Sequence, residues 1–388
     1  MTQILGIVKR TTYILLILIT LLACKNKVKS IEISEQNSTE FPLNYAKGFS
    51  VSATEYYKTL TISNPWPNAD KVYKYALVEE SILPEITLNR DEFDGIITLP
   101  IEKMVVTSTT HLPALELLNV ENTLVGFPGT DFISSEKIRE LVDAKHVREL
   151  GKNEGINTEV LLATQPDVVI GFGIDGKNKS LETIKKSGIP VIFNGDWVEN
   201  SPLAKAEWIK FFGVLFNKKQ QADSIFKRIE TDYLEAKKLA KNTQTKPTIL
   251  SGAMHKDIWY LPNGTSTEAQ LLEDAHANYL WSDSKGSGSL SLNFESVFTK
   301  AKDADIWLSP SNYTSLESLK NGNPHHATFK AFQTKNIYSF TNTTGATGGV
   351  LYFELGMTRP DLVLKDLIKI CHPELLKNYD LYFFKRLE

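Results

Sequence analysis

The chain is poor in cysteine, in net charge and in long apolar segments. Only Cys24 and Cys371 occur in 388 residues, and Cys24 lies in a processing motif, so no disulfide framework holds the fold. The net charge of −3 excludes a general basic field for nucleic acid. The apolar run Ile14–Ala23 spans ten residues, whereas a transmembrane helix needs about 20.

The N-terminal segment has the organisation of an export signal. Lys9 and Arg10 precede the apolar run, which ends in Leu21-Leu22-Ala23-Cys24. This ending resembles the lipobox of bacterial lipoproteins, in which the cysteine thiol is lipidated and becomes the first mature residue. The resemblance implies a signal peptide over 1–23, a polar tether over 24–39 and a lipid anchor that holds the protein at a membrane, facing the periplasm.

Along the mature chain, β-branched apolar runs alternate with helical patterns, which predicts α/β architecture with parallel sheets. Predicted domains are an N-terminal lobe over 40–216, a linking helix over 217–241 and a C-terminal lobe over 242–388. The first half has predicted strands at Lys103–Ser108, Thr123–Phe127, Asp167–Gly171 and Ile189–Phe193. The second half has predicted strands at Thr248–Gly252, Ile258–Leu261, Asp305–Ser309 and Asn336–Phe340.

Several segments, in this order, resemble the cobalamin- and ferric-siderophore-binding proteins of bacterial ABC importers. Those segments are Asn157-Thr158-Glu159 with Gln165–Ile170, Pro202–Trp208, Asn293-Phe294-Glu295, Arg359-Pro360-Asp361 and His372–Leu375. The resemblance covers about 95–388 and implies two Rossmann-like lobes joined by one long helix, with ligand held between them. Residues 40–95 precede it as an extension that adds strands to the first lobe.

The resemblance also implies the biochemistry. The expected ligand is a small-molecule metal chelate, namely an iron–siderophore complex, cobalamin or haem. Because such a ligand carries its own iron or cobalt, no protein cofactor is expected. The expected partners are an ABC permease and its ATPase, the protein is expected to be a monomer, and no enzymatic activity is expected.

Two glutamates are candidates for docking to the permease. In the family, one surface glutamate on each lobe enters an arginine pocket of the permease, and the matching positions are Glu159 and Glu295. Each follows an asparagine by two residues, so an ordinary role in the first turn of a helix is the alternative.

Residues that follow the predicted strands are candidates for the ligand cleft, because ligands of α/β sheets bind beyond the carboxyl ends of the strands. His111 and His255 each follow the first strand of a lobe, and a metal centre between them is one hypothesis. Arg359 is interpreted as a partner either of an anionic ligand group or of a neighbouring carboxylate. The full set is Thr110, His111, Trp197, His255, Tyr313, Tyr352 and Arg359.

Three other functions compete with this interpretation. Gly171-Phe172-Gly173-Ile174-Asp175-Gly176 matches a dinucleotide-binding pattern, although no small residues open the following helix. Direct zinc or manganese capture requires three or four converging ligands, and His325-His326 is an adjacent pair. A periplasmic enzyme is the third alternative, but the sequence lacks G-x-S-x-G, P-loop and H-E-x-x-H motifs.

Overall fold

The computed structural model describes residues 38–286 and 288–388. The predicted signal peptide 1–23, the predicted lipidation site Cys24 and nearly all of the predicted tether 24–39 lie outside the described residues. Within the described ranges, no helix is both long enough and apolar enough to cross a membrane.

The extension forms a five-stranded sheet of its own. Its strands pair in sequence order, antiparallel except for the last pair, which is parallel. The strands are β1 (Thr39–Glu40), β2 (Phe49–Ala53), β3 (Lys58–Ile62), β4 (Tyr73–Glu79) and β5 (Gly95–Leu99). One face of β4 packs Tyr75 and Leu77 on the N-lobe core, and the other packs Ala76 and Val78 in a smaller cluster. Since both faces are buried, β4 lacks the period-two alternation that predicts a strand.

The N-lobe contains a five-stranded parallel sheet with the order β12-β11-β6-β7-β8, and β9 pairs with β10 as a small hairpin. Its strands are β6 (Met104–Val106), β7 (Leu124–Phe127), β8 (Arg148–Glu149), β9 (Gly151–Lys152), β10 (Gly155–Ile156), β11 (Val168–Gly171) and β12 (Val191–Phe193). Its helices are α1 (Leu112–Leu117), α2 (Glu136–Asp143), α3 (Thr158–Thr164) and α4 (Lys179–Lys186). The central strands are buried along their whole length, as parallel strands covered on both faces are.

Three successive helices lead from the N-lobe to the C-lobe: α5 (Pro202–Glu207), α6 (Ile209–Leu215) and α7 (Lys219–Ala240). Helix α7 has 22 residues and is therefore about 33 Å long. Its buried stripe begins with Ala222, Phe226 and Ile229 in the N-lobe core and ends with Tyr233, Ala236 and Ala240 in the C-lobe core. One rigid helix thus belongs to both cores.

The C-lobe sheet has the order β16-β13-β18-β19-β20, parallel except for the edge strand β20. A second, antiparallel sheet has the order β14-β15-β17. The strands are β13 (Thr248–Ser251), β14 (Ala253–His255), β15 (Ile258–Pro262), β16 (Asn278–Tyr279), β17 (Ser289–Leu292), β18 (Ile306–Leu308), β19 (Ile337–Ser339) and β20 (Lys385–Arg386). The helices are α8 (Thr267–Asp274), α9 (Phe294–Ala301), α10 (Leu316–Gly322), α11 (Lys330–Gln333), α12 (Leu351–Leu355) and α13 (Pro360–Cys371).

The predicted fold class is confirmed: two α/β lobes with parallel sheets are joined by one long helix. The tyrosine hydroxyl of Tyr233 on α7 donates to Asp274 Oδ2 at 2.6 Å, and Lys237 pairs with Asp274 Oδ1 at 2.7 Å. These contacts fix the C-terminal half of α7 to α8, so the linking helix is part of the lobe rather than a free spacer.

Candidate ligand-binding site

A cavity of about 540 Å³ lies between the two lobes. Its C-lobe side is formed where parallel strands end: Ser251 is the last residue of β13 and Gly252 follows it, Ser309 follows β18, and Phe340 follows β19. This is the edge at which α/β sheets bind ligands. Because the chain changes direction there, side chains and backbone from separate strands converge on one space.

Aromatic and aliphatic groups dominate the C-lobe wall. The rings of Phe340 and Tyr352 are stacked with their centroids 4.1 Å apart and an interplanar angle of 12°, which fixes a flat apolar surface. Phe353 is exposed beside them. The other C-lobe lining residues are Tyr260, Leu261, Pro262, Thr265, Thr267, Glu268, Leu271, Leu272, Gly288, Ser289, Leu308, Val363, Leu367 and Phe384.

The opposite side of the cavity is formed by one segment, residues 197–205, here called the N-lobe wall, with Pro67 of the extension beside it. Its lining residues are Trp197, Val198, Glu199, Asn200 and Lys205. It begins in the turn Asp196–Val198 after β12 and continues into α5, where the Ser201 side chain caps the helix by accepting from the Ala204 N–H. The Trp197 ring lies 5.8 Å from the Phe172 ring, centroid to centroid. The Trp197 indole N–H meets no hydrogen-bond acceptor among the described residues.

Three charged side chains line the cavity, and they differ in how they are held. Glu199 is buried, and its Oε1 accepts from the N–H groups of Lys47 and Gly48 and from the Trp208 indole. Lys205 makes no ion pair within 4.0 Å of its ammonium group in the part of the chain that the structure describes. Glu268 is exposed. The cavity is therefore apolar with a few polar groups, as sites for organic ligands are.

Of the seven predicted cleft residues, Trp197 and Tyr352 line this cavity. The other five do not. Thr110 is half-buried, and its hydroxyl donates to Asp196 Oδ2 at 3.1 Å. Burial raises the pKa of the Asp196 carboxyl group to about 6. Tyr313 is half-buried and packs near His326, 6.0 Å between ring centroids. Arg359 forms a bidentate ion pair with Asp361, at 2.9 and 2.7 Å. Of the two partners considered for Arg359, the structure therefore has the neighbouring carboxylate.

The two predicted histidines do not face each other in the cavity. His111 is fully buried, its ring nitrogens have no hydrogen-bond partner among the described residues, and burial lowers its pKa to about 3. It is covered because α12 of the C-lobe packs on the turn Thr109–His111. His255 is exposed, because the hairpin of β14 and β15 leaves the parallel sheet and carries it away.

The lobes also touch on the flank where α12 packs, through what we call the interlobe clasp: Glu354 and the loop 343–349. The Glu354 carboxylate on α12 accepts from the N–H groups of Ser134 and Ser135, at 2.6 and 3.0 Å, at the start of α2 in the N-lobe. Burial raises the pKa of Glu354 to about 7. The Thr347 hydroxyl donates to the Asp131 carbonyl at 2.8 Å.

The glycines of this loop are explained by the clasp. A Cβ atom at Gly349 would overlap the Phe132 carbonyl, and one at Gly345 would lie 2.6 Å from Ser134 Cα. The run Thr343–Gly349 therefore allows the backbones of the two lobes to meet. The sequence showed the run, but nothing in it indicated that the contact would be the other lobe.

The glycine motif Gly171–Gly176 is also occupied by a protein side chain. The indole of Trp66, from the extension, lies against it: a Cβ at Gly173 or at Gly176 would be 3.2 Å from ring atoms of Trp66. The glycines serve internal packing, which accounts for the pattern without a dinucleotide.

The remaining candidates, the adjacent histidines and the two docking glutamates, lie outside the cavity lining. His326 is buried, and its Nδ1 lies 2.8 Å from the Leu319 carbonyl oxygen, whereas His325 packs on Phe294. Within residues 38–286 and 288–388, no three His, Cys, Asp or Glu side chains are grouped so as to hold a metal ion. Glu159 and Glu295 are both exposed in the first turns of α3 and α9.

The fold and the cavity define a two-lobed ligand-binding protein. A family model described as periplasmic binding protein matches residues 104–344, and the chain belongs to this family. It is 28% identical over 384 residues to an uncharacterized lipoprotein of Methanocaldococcus jannaschii, covering 92% of this chain and 88% of that one. A second uncharacterized lipoprotein of that organism is 26% identical over 358 residues, covering 86% and 87%.

Solved structures share the fold at low sequence identity. A possible iron-binding, periplasmic solute-binding protein of Staphylococcus epidermidis has a TM-score of 0.56 at 17% identity, covering 70% of this chain and 99% of that one. A periplasmic heme-binding protein of Pseudomonas aeruginosa has a TM-score of 0.54 at 17% identity, and the match covers 70% of this chain and 93% of that one. A Helicobacter pylori protein solved with Ni(II) bound has a TM-score of 0.55 at 20% identity, and the match covers 73% of this chain and 88% of that one.

Proposed function

We propose that this chain is a lipid-anchored substrate-binding protein that captures a metal chelate between its lobes and delivers it to an ABC importer permease. The observation that carries the proposal is the apolar, aromatic cavity at the carboxyl ends of the C-lobe strands, in a member of the periplasmic binding protein family. The ligand classes are an iron–siderophore complex, cobalamin and haem. The lipoprotein names of two relatives support the anchor at Cys24.

The lining residues favour a ligand that brings its own metal coordination. Among the described residues that line the cavity there is no histidine and no cysteine, the side chains that most often hold transition metals. The protein contributes flat aromatic surfaces, hydroxyl groups and a few charges. These groups recognise the organic part of a chelate and leave its metal ion to the ligand's own donor atoms.

The test is to purify the mature chain in detergent, record its visible absorption and identify co-purifying compounds by mass spectrometry. The same protein is titrated with haemin, cyanocobalamin and ferric tris(2,3-dihydroxybenzoate). Micromolar or tighter binding of one of these supports the proposal. Stoichiometric zinc or manganese without an organic ligand would instead support direct metal capture, and a bound compound that carries no metal would overturn the chelate assignment.

A further inference from the structure

We propose that the N-terminal extension, whose strands span residues 39–99 in the structure, is part of the ligand-binding site because it fixes the N-lobe wall and supplies Pro67 to the cavity. The extension lies ahead of the family-matched region, which begins at residue 104. The inference rests on the proposed function only for the identity of the ligand. The positioning of the N-lobe wall is a property of the protein itself.

The first anchor lies just after the N-lobe wall. Glu207 is completely buried at the end of α5, and its carboxylate accepts from the backbone N–H groups of Asn44, Tyr45 and Ala46 at 2.7–3.1 Å. The ammonium group of Lys210 lies 2.8 Å from the same carboxylate. A buried carboxylate with several charge-assisted hydrogen bonds is a strong and geometrically specific contact.

The second anchor lies within the N-lobe wall. Glu199 Oε1 accepts from the N–H groups of Lys47 and Gly48 at 2.9 and 2.8 Å, and from the Trp208 indole at 3.0 Å. Thus one short loop of the extension, residues 44–48, is bound by two carboxylates that bracket Asn200 and Lys205. Neither side of this contact keeps its hydrogen bonds if the other moves.

The third anchor precedes the N-lobe wall. The Asn64 carbonyl lies so close to Gly195 that a Cβ there would overlap it. Trp66 is buried against Phe193, with ring centroids 5.0 Å apart at an interplanar angle of 89°. The next residue, Pro67, is exposed and lines the cavity beside the N-lobe wall. The extension therefore both holds this wall and borders the ligand space.

A positioning role makes a prediction that a purely structural role does not. Glu207→Gln replaces one carboxylate oxygen, which accepts hydrogen bonds from loop 44–48, with an amide NH₂ group that cannot accept them. Because this loosens the contact that holds the N-lobe wall, we expect the backbone amides of residues 197–205 to exchange with deuterium about tenfold faster. The affinity for the tightest of haemin, cyanocobalamin and ferric tris(2,3-dihydroxybenzoate) is expected to fall about tenfold. Glu121→Gln is the matched control, because Glu121 is a buried N-lobe glutamate paired with Lys137 that does not contact the extension.

The direct contribution of the extension to ligand binding, through Pro67, is tested separately by Pro67→Arg. Asp70→Arg is the control, because Asp70 lies on the same exposed loop but outside the cavity lining. We expect Pro67→Arg to lower the affinity for the same probe at least tenfold without changing exchange at 197–205, and Asp70→Arg to change neither. Because Pro67 is exposed, Pro67→Arg decides whether the extension contributes directly to ligand binding even if Glu207→Gln does not fold.

The outcomes are distinct. Wild-type exchange at 197–205 in folded Glu207→Gln overturns the positioning role, and unchanged affinity in Pro67→Arg overturns the direct role. If no probe binds the wild-type protein, the chelate assignment fails, and the exchange measurement still decides whether the extension holds the N-lobe wall.

Discussion

Histidine 111 shows how a residue that is promising in the sequence acquires a different role in the fold. It follows the first strand of its lobe, as a cleft ligand would, but α12 of the other lobe covers it. Its ring nitrogens have no hydrogen-bond partner in the part of the chain that the structure describes. The His111 imidazole stays neutral because a charged ring would be buried without a hydrogen bond or an opposite charge to stabilise it.

This burial predicts a specific loss of stability in acid. The pKa of His111 is about 3 in the folded protein against an ordinary 6.5, so the unfolded chain takes up the proton first. The free energy of unfolding falls below pH 6.5 by up to about 1.4 kcal/mol per pH unit. His111→Leu removes this loss, measured by urea unfolding between pH 4.5 and 7.5. The exposed His255 is the control: if His255→Leu flattens the profile equally, the explanation fails.

Single residues of the site were predictable where they follow strands directly. Trp197, in the turn after β12, lines the cavity, and so does Tyr352, although it lies in α12 beyond the clasp loop rather than directly after a strand. A role of either residue in binding ligand stays a prediction. Lys205 was not predicted, because it lies on α5, a helix whose pattern indicates only amphipathic packing. Glu354 was not predicted either, since its partners Ser134 and Ser135 lie 220 and 219 residues away, and nothing in one sequence reports such a contact.

At the scale of elements, the regular helices and strands follow from local pattern and capping. Helix α8 (Thr267–Asp274), for example, begins where the Ser266 side chain caps its first turn by accepting from the Ala269 N–H. The strands β4 and β17 were missed for physical reasons. Strand β4 is buried on both faces, and β17 (Ser289–Leu292) is a short, half-exposed strand that exists only by pairing with β15.

The loop of the interlobe clasp gives a prediction at this scale. Gly349→Ala places a methyl group against the Phe132 carbonyl of the other lobe, and such overpacking costs about 1–3 kcal/mol of unfolding free energy. Gly155→Ala is the control, because a Cβ there meets no atom within 4 Å. Urea unfolding compares the two variants. Equal stabilities would show that the loop yields freely and does not hold the lobes together.

At the scale of the whole molecule, Glu354 links the association of the lobes to pH. Burial raises its pKa from an ordinary 4.5 to about 7, with a further contribution from the negative charge of Glu116. Its stabilising contribution is complete below about pH 4.5 and is lost as the pH rises through 7. Between pH 5 and 8 the loss is on the order of 2–3 kcal/mol.

Glu354→Gln therefore has a flatter stability profile between pH 5 and 8 than the wild-type protein, measured by chemical unfolding in buffers of constant ionic strength. Glu121→Gln is again the control, since Glu121 is buried but does not bridge the lobes. A wild-type slope in Glu354→Gln would mean that other groups set the pH dependence.

The two exposed glutamates give a prediction about transport. Each stands on a different lobe, exposed in the first turn of α3 or α9, and an exposed carboxylate is accessible to an arginine of a partner without rearrangement of the core. We expect Glu159→Arg with Glu295→Arg to abolish uptake in cells and to leave the affinity for the ligand within about twofold. Uptake at the wild-type level would exclude both from docking, and Glu154→Arg, also exposed on the N-lobe, controls for charge alone.

Helix α7 has a consequence for how the protein folds. Its first half completes the N-lobe core through Phe226, and its second half completes the C-lobe core through Tyr233. Loss of the helix from either core exposes apolar surface in that core and loosens the helix in the other. We therefore expect the two lobes to unfold as one cooperative unit, with a force applied to one lobe transmitted through a continuous element to the other.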